Sequence, residues 1–242
     1  MGSIYHKLYV FLGGKKGSFL QKQWAKFRNN KVIKRKSKLL PIYGMDMLRI
    51  FKEVCNELGV KGWLEYGTLL GAYRERSFIP HDYDLDVGMF SDDFTPIFEN
   101  KLFEKGFVKN HEYYLVNATN GKRILSELGF SYQGFSIDIF LSSRDDKIRK
   151  SYVFLVDVYN NSPKLQVKYY TLNRVEPLSE VEINGESFNA PNHPEELLKR
   201  VYGEDFMIPQ KDWKPISSNP FVSFLDINVE YGEHRNWSVK TE

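Results

Sequence analysis

Glu65-Tyr66-Gly67-Thr68-Leu69-Leu70-Gly71-Ala72-Tyr73-Arg74, followed three residues later by Phe78-Ile79-Pro80-His81-Asp82-Tyr83-Asp84-Leu85-Asp86-Val87, sets the architecture of this chain. Gly62–Tyr66 reads as a short strand, which Gly67-Thr68 interrupts, and Leu69–Arg74 as a short helix. Pro80 marks a loop, because it blocks both helix and ladder bonding. From Asp82 to Phe90 charged and apolar residues alternate, the period of a half-buried strand. On that strand Asp82, Asp84 and Asp86 share one face, with roughly 7 Å between successive carboxylates, while Tyr83, Leu85 and Val87 turn to a core. Three like charges on one face repel, and a fold keeps them if they are well solvated or if a cation sits among them. Hard oxygen ligands suit Mg²⁺ or Mn²⁺. The competing reading is an exposed acidic edge that blocks sheet pairing.

Two neighbours favour the cation. Gly67-Thr68 precedes a helix whose free N–H groups face any anion placed there, which suggests a phosphate cradle opposite a metal. Ser136-Ile137-Asp138-Ile139-Phe140 is an apolar strand with one acid inside it, costly to bury without a cation or hydrogen bonds. Asp138 thereby completes a three-carboxylate set with Asp84 and Asp86. Its alternative is an outward-facing Asp on an edge strand.

Working outward, Met45–Leu58 carries apolar residues at helical spacing and ends at Gly59, a C-cap residue. Ser91-Asp92-Asp93 reads as the cap of a helix running to Lys105, strained at Pro96. After Gly106 the texture turns to strands, over residues 107–116, 124–132, 135–141, 151–158 and 165–172. Asn184-Gly185 supplies the positive φ of a type I′ hairpin turn. Pro194–Tyr202 is a helix with Pro in its first turn and Gly203 past its end. Residues 231–242 read as a polar, frayed tail. The result is α+β.

Of 242 residues, 42% are apolar and 27% charged, which excludes global disorder and a membrane-embedded protein. One cysteine, Cys55, makes neither an intramolecular disulfide nor a cysteine zinc cage. The formal net charge of +3 hides an asymmetry. Residues 1–45 hold 11 Lys and Arg and no acid, leaving 23 basic and 31 acidic residues for the rest. Residues 1–40 therefore form a basic arm, closed by Pro41. With its apolar and aromatic residues it suits an anionic membrane surface; nucleic-acid phosphates or plain solvent are the alternatives. Ile4–Leu12 is interrupted by His6 and Lys7 and does not read as a signal peptide.

The quoted stretch resembles the signature of the LicD family, shared with the fukutin-related glycan-modifying enzymes. A Gly-Thr-Leu-Leu-Gly turn, an Arg, an Ile-Pro and a spaced Asp-x-Asp stand in the same order. Ile137-Asp138-Ile139-Phe140 and Pro191 to Tyr202-Gly203 extend the resemblance to about residues 45–215. His81 stands where the pattern usually has Trp, and Tyr83 where it often has Asp. The resemblance implies a nucleotidyltransferase-like mixed sheet with flanking helices over residues 41–230. It also implies transfer of phosphocholine, phosphoribitol or phosphoglycerol from a CDP-linked donor to a sugar hydroxyl of a surface polysaccharide or its lipid-linked precursor. Asp84, Asp86 and Asp138 are the expected catalytic and metal residues, holding Mg²⁺ or Mn²⁺. Asp138 is alternatively the general base. Gly67, Thr68, Arg74, His81, Asp82 and Glu65 are expected around the substrate, Glu65 also from behind the turn. The expected setting is cytoplasmic, peripheral at the inner face of the cell membrane, with no nucleic-acid partner. Nucleotide transfer and a non-enzymatic binding module are the alternatives.

Overall fold

The structure, a computed structural model, describes residues 30–144, 148–155, 163–209 and 219–237. A six-stranded mixed sheet carries the site. Its strands are β1 (Gly62–Leu64), β2 (Asp84–Phe90), β3 (Val108–Asn117), β4 (Arg123–Tyr132), β5 (Phe135–Ser142) and β11 (Glu230–Asn236), in the order β1-β2-β5-β4-β3-β11. Only the adjacent strands β2 and β5, second and third in that order, pair in parallel; the other pairs in this sheet run antiparallel. A second sheet, β10-β7-β6, is built from β6 (Ile148–Leu155), β7 (Gln166–Asn173) and β10 (Val222–Phe224). The hairpin β8 (Ser179–Ile183) and β9 (Glu186–Ala190) turns on Asn184 and Gly185, both at positive φ as expected.

Besides the helical residues 30–36, the described residues form the helices α1 (Leu40–Leu58), α2 (Tyr66–Glu75), α3 (Pro96–Glu104) and α4 (Pro194–Tyr202). Phe51 of α1 meets Phe98 of α3, and Tyr43 and Phe103 reach Tyr132 and Phe130 of β4, so α1 and α3 cover one face of the main sheet. On the other face Tyr66 of α2 meets Phe140 of β5 and Tyr170 of β7. The core between them includes Met47, Leu48, Leu69, Leu85, Val87, Phe130, Ile137 and Ile139, all essentially inaccessible. The α+β class with a mixed sheet is as expected.

Several boundaries differ from the sequence reading. Pro41 opens α1 rather than closing an arm, in keeping with the missing N–H at a helix start. Residues 30–36 of the basic segment are helical, while residues 1–29 lie outside the described part. Gly67 and Thr68 belong to the first turn of α2 instead of preceding it. Asp82 lies before β2 and Tyr83 is exposed, so neither follows the expected strand alternation. Thr95, not Ser91-Asp92-Asp93, caps α3, its Oγ1 accepting the Phe98 N–H at 3.3 Å; Pro96 sits unstrained in the first turn. Of the segment 231–242 expected to fray, residues 231–236 instead belong to β11, paired along β3 from Glu230–Asn117 to Asn236–His111, while residues 238–242 lie outside the described part. Among the described residues no helix is long and apolar enough to cross a membrane.

Candidate active site

The parallel register of β2 and β5 sets Asp84 beside Ser136 and Asp86 beside Asp138. Leu85, Val87, Ile137 and Ile139 claim the core face, so the pleat turns all three aspartates to the opposite face. There the start of α2 meets them. The Gly67 N–H donates to Asp86 Oδ2 at 2.9 Å, and Thr68 Oγ1 accepts the Asp86 N–H at 2.8 Å. A side chain at 67 would begin 2.8 Å from Asp82 Oδ2 and 3.1 Å from Asp86 Oδ2, so glycine is what lets both carboxylates close on the helix start. Tyr66 takes φ 37°, an uncommon conformation for a residue with a side chain. It is held by its neighbours: Tyr66 bonds Ser151 through its hydroxyl, and Glu65 makes a buried two-pronged pair with Arg149 at 2.7 and 3.0 Å.

Charge crowding defines the electrostatics. Burial first, then Asp84, pushes the Asp82 carboxyl up to about 7. Asp84 rises to about 6 through burial, with Lys36 opposing and Glu127 adding to the shift. Asp86 stands well above the usual carboxylate range through burial and then Asp84, Asp82 and Asp138, with the Gly67 N–H opposing. Asp138 does so through burial, Glu127 and Asp84, again with Lys36 opposing. Tyr202, at the end of α4, is raised by burial and then by Asp86 and Asp82, which places its phenol beside the cluster.

The row continues across the sheet. Asp138 pairs with Gly129 of β4, and Gly129 with His111 of β3. A side chain at 129 would begin 2.0 Å from the His111 ring, so this glycine lets the imidazole lie across β4 toward the aspartates. His111 Nε2 stops 3.5 Å from both Glu127 Oε1 and Asp138 Oδ1. Neither contact is a hydrogen bond, and both Nε2 and Asp138 Oδ1 are buried without a partner among the described residues. One ligand atom each from His111, Glu127 and Asp138 lies within 4.8 Å of the others. Orphaned buried donors and acceptors beside carboxyls that resist ionisation fit a divalent cation. Oxygen donors suit Mg²⁺ or Mn²⁺, and the imidazole adds a preference for the softer of the two.

The structure thus brings together Asp82, Asp84, Asp86, Asp138 and Gly67. Thr68 is buried and positions β2, so its place is behind Asp86 rather than against a phosphate. Glu65 is wholly inaccessible, bonded to Arg149 and to Trp63 Nε1, and holds the turn from behind instead of touching substrate. Arg74 sits in the last turn of α2 and pairs with Glu75 at 2.7 Å, away from the cluster at the opposite end of that helix. His81 is exposed in the loop before Asp82. His193 occupies the N-cap position of α4 without a side-chain capping bond. Burial pushes the Cys55 thiol up to about 12, which removes it as a nucleophile. His111, Glu127, Lys36 and Tyr202 are at or beside the site with little linear signal; the one mark is Gly129, a glycine inside a strand, which often signals a close approach.

Residues 59–193 match the profile of the family described as LicD/FKTN/FKRP, nucleotidyltransferase domain. The chain is 28% identical over 201 residues to an uncharacterized Caenorhabditis elegans protein, covering 76% of this chain and 49% of that one. It is 27% identical over 182 residues to the ribitol-5-phosphate transferase FKTN of Mus musculus, covering 73% and 36%. It is 31% identical over 128 residues to the lipopolysaccharide cholinephosphotransferase LicD of Haemophilus influenzae, covering 50% and 44%. The chain spans half or less of the length of these relatives.

Proposed function

Because the chain belongs to the LicD/FKTN/FKRP family, we propose that it moves a phospho-alcohol group from a CDP-linked donor to a sugar hydroxyl. Relatives named for ribitol-5-phosphate and cholinephosphate transfer support the reaction class. The acceptor is a surface polysaccharide or its lipid-linked precursor, and the donor group is phosphocholine, phosphoribitol or phosphoglycerol. The observation that carries the reading is the register pair Asp86–Asp138, with Asp86 pinned by the Gly67 N–H.

Asp84, Asp86 and Asp138 are the residues that would hold Mg²⁺ or Mn²⁺, with His111 and Glu127 beside Asp138. A bound divalent ion there supplies charge neutralisation to the donor phosphates. The chain's own groups do the rest. Gly67 and Thr68 fix Asp86 in one orientation, which saves reorganisation when the phosphoryl group moves. Asp138 is alternatively the base that accepts the acceptor's proton, in which case Asp84 and Asp86 hold the ion without it. The phosphorus–oxygen bond to CMP breaks as a bond to the acceptor oxygen forms. Asp82 and His81, on the loop that enters β2, line the approach. The basic residues 1–40 suit peripheral contact with an anionic membrane on its cytoplasmic side.

The family description also names nucleotidyl transfer, which uses the same carboxylates but attacks the other side of the donor diphosphate. Incubation with a panel of CDP-linked alcohols and a glycan acceptor separates the two. CMP release, abolished by EDTA, together with a phospho-alcohol mass on the acceptor is the expected result. A nucleotide mass on the acceptor would replace this reading with nucleotide transfer.

A further inference from the structure

A donor diphosphate brings negative charge to a site that already holds Asp82, Asp84, Asp86, Asp138 and Glu127. A divalent ion offsets part of this, and a phosphate-binding site then needs a cation of its own. Arg74 does not supply it, since its guanidinium is paired with Glu75, and Arg149 is buried on Glu65. The cation comes from outside the family-matched residues. Lys36, the last residue of the helical segment 30–36, sends its ammonium to Ser136 Oγ at 2.7 Å. Ser136 stands directly opposite Asp84 in the β2–β5 ladder, so the ammonium sits at the rim of the cluster.

The backbone holds Lys36 there. Its carbonyl accepts the Leu39 N–H at 2.7 Å, and Leu40, which starts α1, is buried. The residue is therefore held to the sheet through its ammonium and to the turn before α1 through its carbonyl. Its half-buried position contrasts with exposed Lys34, Arg35 and Lys38 around it. The positive charge opposes the upward shifts of both Asp84 and Asp138, so the ammonium acts on the same groups an incoming anion would meet. An ammonium carries three donors, and Ser136 takes one.

We propose that Lys36, docked on Ser136, is the phosphate-binding residue of this site and contacts the diphosphate of the nucleotide-linked donor. This rests on the transferase reading above. It assigns to the basic segment a role within the site, separate from any membrane contact.

The test is calorimetric binding of free CDP in the presence of Mg²⁺, with Mn²⁺ binding measured in parallel. Lys36→Ala and Lys36→Met should weaken CDP binding at least tenfold without weakening Mn²⁺ binding and with a melting temperature close to that of the wild type. Lys36→Arg should keep most of the affinity, and Lys38→Ala all of it. Ser136→Ala, which frees the ammonium without removing it, should cost less than Lys36→Ala. A wild-type chain that binds CDP, with Lys36→Ala binding it equally well, overturns the role of Lys36 alone. A wild-type chain that binds Mn²⁺ but no CDP overturns both that role and the donor reading.

Discussion

Asp84 is a carboxyl that the fold penalises when ionised. Its ordinary value of 3.8 rises to about 6, chiefly by burial. The folded state therefore keeps a proton that the unfolded chain has released, and stability falls as pH rises from the first value through the second. Asp84→Asn removes that penalty. Without divalent ions its melting temperature should match that of the wild type below the ordinary value and exceed it increasingly as pH rises to about 6. Saturating Mg²⁺ should reverse the order, since only the wild type gains binding free energy. A pH series of thermal melts with and without Mg²⁺ reads both effects. Gly129→Ala drives a methyl group into the His111 ring, so it should lower Mn²⁺ affinity as much as His111→Ala does. The double variant should lose no more than either alone, because both remove the same imidazole. Of these residues Asp84, Asp86 and Asp138 were legible from the sequence, because an acid inside an apolar alternation is costly without a purpose. His111 was not: only the strand order places it beside an aspartate 27 positions later.

At the scale of elements, the turn from β1 into α2 is clamped from the second sheet. Arg149 and Ser151 of β6 hold Glu65 and Tyr66, the two residues before Gly67. Glu65 is 0% and Arg149 1% exposed, so removing one partner strands a buried charge. Arg149→Met should destabilise by about 3–5 kcal/mol, whereas Glu65→Gln combined with Arg149→Met should cost much less. A denaturation cycle on the two single variants and the double checks this. Elements whose ends carry their own chemistry were legible in the sequence: α1 stops at Gly59, α4 begins at Pro194, and Asn184-Gly185 closes its hairpin. The start of α2 was misread because glycine and threonine in a first turn look like a break. Their purpose there, two hydrogen bonds to Asp86, depends on a strand that follows 17 residues later.

At the scale of the molecule, the two sheets are joined near the C-terminal strand. Gly232 of β11 exchanges backbone hydrogen bonds with Leu165, at 2.8 and 2.9 Å, and lies against Phe154 and Val167. His234 stacks on Tyr113, 4.7 Å away, beside His111. Ending the chain at residue 229 should expose the β3 edge, lower the melting temperature and promote self-association, seen by size-exclusion chromatography. Nothing in the polar composition of the last residues announced this strand, because its partner lies more than a hundred residues earlier. The helix and strand content was accessible from local pattern; which strands lie side by side, and hence which side chains meet, was decided by long-range pairing.

The central claim is that Asp84, Asp86 and Asp138 act together as a divalent-cation site at the start of α2. Calorimetric titration with Mn²⁺, in wild type and in Asp86→Asn, tests it most directly. The wild type should bind saturably and release Mn²⁺ to excess Mg²⁺, while folded Asp86→Asn should bind at least tenfold more weakly. Equal binding by the two proteins, or no binding by the wild type, would contradict the account.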